Sequence, residues 1–396
     1  MLELKPSIYY CGAQNPDLRV FDIIMKTPLG TSYNAFLIKG EKKTALVETV
    51  KSGFWDVYAQ RINAVMPISE VDYLIMNHTE PDHAGSILEL LKVNPNVTIV
   101  GTSSAIMFIS HIINAPFNSL VVKKGDSIDL GDRTLAFYPM PNLHWPDTMF
   151  TFDDKSRALF CCDCFGAHFS YAPVLLSLME NKDEYYRAQE QYFLDIMSPF
   201  IDPYVINGTK AARELDPSII CTGHGPVIDI DIPETLGRYE ALCTPEKKAK
   251  PSVAIAYVSA YGYTKMLAET IAATLQKNNE FNVLIHEVTD DNRRQVMDGI
   301  VSSDGFLLGT PTILADALQP IAEVAAALHP ILVKGKAASA FGSYGWSGEG
   351  VPNMMERLKQ LKVETIDGLR VRFRPSGEEL LLAEKFAEDF AALIRK

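Results

Sequence analysis

From Ser252 to Lys396, short apolar runs of β-forming residues alternate with helix-length segments, and this alternation constrains the fold more than any other feature of the chain. Ser252–Val258, Asn282–Val288, Gly305–Leu308 and Ala337–Phe341 read as buried strands. Thr264–Gln276, Asp291–Val301, Leu318–Leu328 and Val351–Leu361 read as the helices between them, with Glu378–Lys396 as the last. Parallel strands need crossover connections, so five such β/α units predict a doubly wound parallel sheet that takes ligands at the carboxyl ends of its strands. The preceding region keeps a different rhythm. Apolar β runs recur at Tyr33–Ile38, Thr44–Glu48, Val71–Met76, Val97–Gly101, Leu120–Val122, Thr134–Tyr138, Ala158–Cys161 and Ser218–Cys221. Helical patterns interrupt them only at Phe54–Val65, Gly85–Leu91 and Glu184–Phe200, which predicts packed sheets with helices outside. The polar, twice-proline segment Cys243–Ser252 reads as a linker, giving two domains, 1–245 and 251–396.

One strand of the first region ends in unusual company. After Val71–Met76 and Asn77 comes His78-Thr-Glu80-Pro-Asp82-His83, with four potential metal ligands. In an extended segment side chains alternate, so His78, Glu80 and Asp82 point one way, and Pro81 helps keep the segment extended. Asp82-His83-Ala-Gly85 can then begin a helix that turns His83 back toward the same space. His144, Asp163 and His224 also stand where apolar runs end. Any one of them alone reads as a hydrogen-bonded loop histidine or a capping aspartate; together they read as a metal centre built at one sheet edge.

These residues resemble the metallo-β-lactamase-fold signature in the variant carried by flavodiiron proteins. The resemblance implies that His78, Glu80 and His144 hold one iron, Asp82 and His224 the other, and that Asp163 bridges them. His83 is a ligand in some members and is replaced by water in others. Hydrolases of the fold usually have His where Glu80 stands and bind zinc; a carboxylate there gives an oxygen-rich set that suits iron or manganese better. The fold implied for residues 1–245 is a metallo-β-lactamase-like αββα sandwich, followed by a flavodoxin-like α/β sheet.

Cys161-Cys162-Asp163-Cys164 has C-x-x-C spacing, but Cys11, Cys221 and Cys243 are isolated, so no tetrathiolate site is expected. A dithiol pair and small apolar side chains on a buried strand both remain open there.

In the second region, Ser259-Ala260-Tyr261-Gly262-Tyr263-Thr264 follows the first strand and opens a helix. Two hydroxyls, a glycine turn and free helix-start N–H groups make an anion cradle that suits a terminal phosphate. It lacks the G-x-G-x-x-G of a dinucleotide site; Gly335-Lys336 lacks the rest of a P-loop, and Ser347 lacks a nucleophile elbow. Thr310-Pro311-Thr312 follows the third strand, and Ser343-Tyr344-Gly345-Trp346 with Gly348 follows the fourth, offering aromatics to sandwich a flat ring. The arrangement resembles flavodoxin with FMN at the strand ends, although flavodoxins commonly carry a third hydroxyl where Tyr261 stands.

The family resemblance covers nearly the whole chain. It implies a cytoplasmic oxidoreductase that passes electrons through FMN to two Fe ions and reduces O2 to water, NO to nitrous oxide, or both. His168 matches a pocket histidine that can donate to bound substrate, against a surface-loop reading, and Tyr192 lies where members supply a pocket tyrosine. Trp145 and Trp346 are the aromatics expected near the flavin, Trp145 having a core role as its alternative. Because the linker is short, the resemblance implies a head-to-tail homodimer or a dimer of dimers. The chain ends without a second C-x-x-C pair of the rubredoxin type, so the electron donor is expected to be separate, rubredoxin or a reduced deazaflavin. A zinc hydrolase with an accessory flavodoxin domain and an electron-transfer flavoprotein with an idle metal site are the competing readings.

Composition agrees with a soluble enzyme. Net charge is −12 and 22% of residues are charged, which disfavours nucleic acid as a partner. No run of membrane-spanning length is present, the start lacks a signal-peptide pattern, and six scattered cysteines fit a reducing compartment. His111, His286 and His329 have no partner in the pattern and are assigned no role.

Overall fold

The computed structural model describes residues 2–22, 25–244 and 248–396, in two compact units, Met1–Pro245 and Glu246–Lys396. Residues 245–247 of the expected linker lie outside the described residues.

The first unit contains two large sheets. One runs Leu2–Lys5, Ile8–Tyr10, Phe36–Lys39, Thr44–Val47, Tyr73–Ile75, Thr98–Gly101 and Asn118–Val121, antiparallel at first and parallel from Thr44–Val47 onward. The other runs Ser127–Asp129, Thr134–Pro139, Met149–Asp153, Ala158–Cys162 and Ile219–Thr222, with only the last pair parallel.

Period-two alternation decides the layering. Phe36, Val47, Ile75 and Val100 of the first sheet meet Phe137, Phe160 and Cys221 of the second. Their strand neighbours Leu37, Leu46, Leu74 and Ile99 turn outward under helices that carry Tyr58, Ile62, Leu90 and Ile109. Phe150, Leu159 and Ile220 do the same under helices that carry Tyr185, Ala212 and Tyr239. Both faces of both sheets are therefore apolar, and the result is the αββα sandwich. Phe36, Phe137 and Phe160 are each about 1% exposed and each contribute about 2 kcal/mol of transfer free energy.

Two expected elements differ. Tyr33–Ile38 is not one strand. Thr31–Tyr33 pairs with Ala13–Asn15, while Phe36–Lys39 joins the large sheet. The break falls at Asn34, whose buried amide donates to the carbonyls of Thr222 and Gly225 at 2.9 and 2.8 Å. Glu184–Phe200 is not one helix either. The α-helix is Asp183–Tyr192, then the chain widens into a π turn at Phe193–Met197 and tightens at Ser198–Phe200, where Pro199 removes a donor. Several elements were not read from the pattern, among them the strands Ile8–Tyr10 and Met149–Asp153 and the helices Ser103–Ile113, Ile206–Leu215 and Ile232–Leu242.

The second unit is an all-parallel sheet ordered Asn282–Glu287, Ser252–Tyr257, Gly305–Gly309, Ala337–Tyr344, with Glu364–Thr365 and Leu369–Arg372 sharing the last edge. Helices Tyr263–Gln276 and Gly377–Ile394 cover one face, and Arg293–Ser302, Gln319–Ala327 and Gly350–Gln360 the other. The final helix starts with a capping box, Ser376 and Glu379 exchanging hydrogen bonds with each other's backbone N–H. The strand placed at Ala337–Phe341 extends to Tyr344, because Leu369–Arg372 pairs with its second half. Ser343 and Tyr344 are therefore strand residues. Among the described residues no helix is long and apolar enough to cross a membrane.

Candidate metal centre and phosphate cradle

The seven expected metal ligands converge at one edge of the sandwich. Asn77 ties the two sheets together there: Met149 N–H donates to its carbonyl at 2.9 Å, the Thr151 hydroxyl to its side-chain oxygen at 2.7 Å, and its amide donates to Phe160 O. His78 leaves from this joint. Pro81 then opens the short helix Pro81–Ala84, which brings Asp82 and His83 back toward the edge. Asp163 follows Ala158–Cys162, and His224 follows Ile219–Thr222. Gly223 lets His83 approach, since a Cβ there would stand 2.8 Å from His83 Cε1.

Asp163 lies between two clusters. Its Oδ2 is 3.0 Å from His144 Nε2 and 3.4 Å from His78 Nε2; its Oδ1 is 3.1 Å from His83 Nε2 and 3.4 Å from His224 Nε2. Glu80 Oε2 completes the first cluster at 3.2 Å from His78 and 3.3 Å from His144. Asp82 Oδ2 completes the second at 3.1 Å from His224 and 3.4 Å from His83. His78, Glu80, His144 and Asp163 form one group able to hold a cation, and Asp82, His83 and His224 another. A third grouping adds the Cys162 thiol to His83 and Asp163, a proximity the sequence pattern did not single out.

Electrostatics couple these carboxylates and imidazoles tightly. Burial alone would raise the carboxyl groups, yet His83 and His144 hold Asp163 well below the usual range, His144 and His78 lower Glu80, and His83 and His224 lower Asp82. Burial would lower the imidazoles, yet the hydrogen bonds that His78 donates to Asp147 and Glu80 raise it, Asp163 and Glu80 raise His144, and Asp82 and Asp163 push His83 up to about 10. Protons on imidazole supply the charge that divalent cations would otherwise supply. Both Asp82 carboxylate oxygens are buried without a hydrogen bond, as suits ligand atoms.

The groups behind the ligands set the tautomers. His78 Nδ1–H donates to Asp147 Oδ2 at 3.2 Å, and His224 Nδ1–H to the Ser32 carbonyl at 2.5 Å, so each Nε2 faces the centre. Asp147 is fully buried and also accepts from Thr79 N–H and hydroxyl at 2.7 and 2.8 Å. His83 differs, because its Nδ1 is buried with no partner. Glu48, buried at the end of Thr44–Val47, is pushed up to about 8 by burial, against the pull of His83 and His78. Sequence reading passed over Asp147 and Glu48. Asp147 sits three residues past His144, and Glu48 is the carboxylate that ends an apolar run, a signal of the kind that identified Asp163.

His168 and Tyr192 are buried beside His224, their rings 5.1 and 5.9 Å from its ring, so the surface-loop reading of His168 fails. Burial and then His224 pull His168 down to about 3, and burial pushes the Tyr192 hydroxyl well up. Both line a cavity of about 410 Å³ together with Lys26, Glu184 and Arg187. The Trp145 ring is half-buried, 5.1 Å from His78. Cys161 and Cys164 are buried free thiols, Cys161 donating to Cys164 O at 2.9 Å, and burial pushes both far from thiolate.

In the second unit, the expected cofactor residues gather at the carboxyl ends of three strands. Gly262, at φ +81, caps the helix Tyr263–Gln276, and Ser259 Oγ accepts from Lys265 N–H at 3.3 Å. Four hydroxyls hold the loops together. Thr264 and Ser343 share a hydrogen bond of 3.1 Å, Thr310 donates to Pro311 O and accepts from Leu318 N–H, and Thr312 accepts from Gly350 N–H at 3.1 Å. Ser259 and the loop of Ala260, Tyr261 and Gly262 stand at the start of the helix that Tyr263 opens. Tyr261 and Trp346 are 80% and 87% exposed, with Gly345 and Gly348 around the Trp346 turn and Pro311 buried beneath the third strand's end. Free rings above a helix-start cradle fit a flat phosphorylated ring system such as FMN.

Comparison with known proteins agrees with both units. Residues 31–225 match the ODP family beta lactamase model and residues 255–386 the flavodoxin model. A flavo-diiron protein of Clostridium acetobutylicum is 38% identical over 99% of both chains, and a type A flavoprotein of Rhodobacter capsulatus is 35% identical, covering 98% of this chain and 90% of its own. Among solved structures, the flavodiiron protein of Giardia intestinalis has a TM-score of 0.73 at 25% identity, covering 99% of this chain and 96% of its own. The rubredoxin oxygen:oxidoreductase of Desulfovibrio gigas has a TM-score of 0.76 at 24% identity, covering 100% and 98%.

Proposed function

The chain belongs to the flavodiiron, or type A flavoprotein, family of oxidoreductases, and from that premise we propose that it reduces O2, NO or both, drawing electrons through FMN to a di-iron centre. The observation that carries this reading is the placement of Asp163, whose two carboxylate oxygens each face a separate ligand cluster. His78, Glu80 and His144 would hold one iron and Asp82 and His224 the other, with Asp163 placed between the two sets. His83, whose second nitrogen has no partner to fix its tautomer, stands close enough to join the second. When bound, the irons supply binding and reduction of a diatomic molecule, and FMN supplies electrons.

The protein's own groups do the rest. Asp147 and Ser32 hold two imidazoles in register, the carboxylates balance the cations, and the mostly buried ligand set keeps bulk water away. His168 and Tyr192 offer polar atoms beside His224. In the second unit the helix-start cradle would hold the FMN phosphate, and the exposed rings of Tyr261 and Trp346 would be available to the flavin.

Rubredoxin is the candidate electron donor that the Desulfovibrio gigas relative's name suggests. A reduced deazaflavin is the alternative donor. The short linker supports a head-to-tail homodimer or a dimer of dimers in which the flavin of one copy serves the irons of another. Free thiols throughout support a cytoplasmic location.

Parallel anaerobic assays with reduced rubredoxin, following O2 and NO separately, test the reading. His144→Ala is expected to keep FMN and lose consumption of both gases. Zinc in place of about two irons per chain, with ester or lactam cleavage, would establish the hydrolase instead.

A further inference from the structure

Thr31 is fully buried in the short ribbon that Thr31–Tyr33 makes with Ala13–Asn15, and its hydroxyl stands between two imidazoles. Its Oγ1 is 3.0 Å from His168 Nδ1 and 3.4 Å from His224 Nδ1. Donor and acceptor accounting fixes the proton positions. The Ser32 carbonyl, 2.5 Å from His224 Nδ1, can only accept, so His224 carries its proton on Nδ1. That N–H also leans on Thr31 Oγ1 as a weaker second acceptor.

The Thr31 hydroxyl then has one proton to place. The Ser32 carbonyl is 3.4 Å away, beyond the usual O–H···O range, whereas His168 Nδ1 is at 3.0 Å. The hydroxyl therefore donates to His168 Nδ1, which must be the unprotonated nitrogen of a neutral ring. Its proton then sits on Nε2, a buried atom with no partner among the described residues.

We propose that Thr31 is a positioning residue: its hydroxyl, oriented by His224 Nδ1–H, holds His168 in the tautomer whose Nε2–H is free to donate to a small molecule bound beside the metal centre. The inference rests on the reading of that centre given above. It assigns to a residue outside the ligand set the choice of which His168 nitrogen donates. The reverse arrangement, with His168 Nδ1–H donating to Thr31, would leave Nε2 an acceptor and useless as a donor.

The test is two-bond 15N–1H NMR of the full-length protein labelled at histidine and loaded with zinc, whose closed shell keeps the imidazole signals sharp. The His168 signal is the one lost in His168→Phe. It should show Nε2–H with an accepting Nδ1 in the native chain, shift toward Nδ1–H in Thr31→Val, and return in Thr31→Ser. In the iron-loaded enzyme Thr31→Val should lower kcat about 2- to 10-fold, the worth of one hydrogen bond, with KM for the electron donor unchanged. In a His168→Phe background the same change should cost nothing further. A native His168 carrying Nδ1–H overturns the proposal without any variant having to fold, and so does an unchanged His168 signal in Thr31→Val. Because the NMR needs no turnover, failure of the proposed reductase activity would leave its outcome readable.

Discussion

Asp147 tests whether the centre depends on residues that never touch a cation. Its Oδ2 accepts three hydrogen bonds, from His78 Nδ1, Thr79 N–H and the Thr79 hydroxyl, while Oδ1 is buried with no partner. Asp147→Asn keeps the shape. The amide oxygen must take the three donors, so the new NH2 falls where Oδ1 was and becomes a buried donor with nothing to bond. That costs about 1–3 kcal/mol, and the charge that orients His78 is also lost. Loss of such a carboxylate behind a histidine ligand typically weakens metal binding about 10- to 100-fold, equivalent to about 1.4–2.7 kcal/mol. Only the cluster of His78, Glu80 and His144 should feel it, because in the other cluster His224 is oriented by Ser32 and no hydrogen bond joins His83 to Asp147 among the described residues. Competition with a graded series of chelators should therefore strip half of the bound metal from the variant early and the remainder at the native concentration. FMN content and far-UV circular dichroism should not change. Release of both ions together, or metal retention within about twofold of native, would refute the claim that Asp147 holds His78 in place.

Metal uptake should expel protons: neighbouring carboxylates hold His78 well above its ordinary value and push His83 up to about 10, and they raise His144, so binding two cobalt(II) ions at pH 7 should release about two protons or more, and affinity should fall as pH falls. Calorimetry in buffers of different ionisation heat measures the count, and release of fewer than about one proton contradicts the charge accounting. Gly223→Ala places a Cβ 2.8 Å from His83 Cε1 and 3.2 Å from Asp163 Oδ1, and is expected to lower metal stoichiometry with both sheets intact, read by metal analysis beside circular dichroism. Asp72, far from the centre, is raised by burial but held lower overall by Lys43 and Thr44. Its contribution is therefore present above the unfolded carboxyl value and lost as pH falls through the folded one; Asp72→Asn should cost about 1 kcal/mol in urea titrations at pH 7 and nothing in strong acid.

The second unit was legible because its central strands, Ser252–Tyr257, Gly305–Gly309 and Ala337–Tyr344, are buried on both faces and helices connect them, so periodicity and connection length agree. The first unit was harder to read for the same physical reason that makes it stable. With helices on both sides of paired sheets, Met149–Asp153 is buried at every position, Thr151 and Asp153 included, and an all-buried run of that kind carries no period. Ser103–Ile113 was passed over although Thr102 caps it, its hydroxyl accepting from Ala105 N–H. The break at Asn34 was invisible for another reason. Its amide bonds carbonyls nearly two hundred positions along the chain, and a tertiary partner of that kind leaves no mark on local pattern.

The same contrast separates the ligands from the groups behind them. His78, Glu80, Asp82 and His83 could be read because strand alternation and the Pro81 turn act over a few residues, and His144, Asp163 and His224 because each stands at a strand end. The residues that orient them obey no such spacing. Thr31 and Ser32 meet His224 across the whole first unit, and Asp147 reaches His78 from 69 positions away. What selects them is a donor that must be satisfied in a place water cannot reach: a buried imidazole N–H on the side away from the cation needs an acceptor, and any chain segment that brings one can serve. A carbonyl does this for His224 and a carboxylate for His78. A family of such centres can thus keep its ligand signature while its outer hydrogen bonds are supplied by different residue types, and these are the positions where one member's chemistry can be tuned without disturbing its metal.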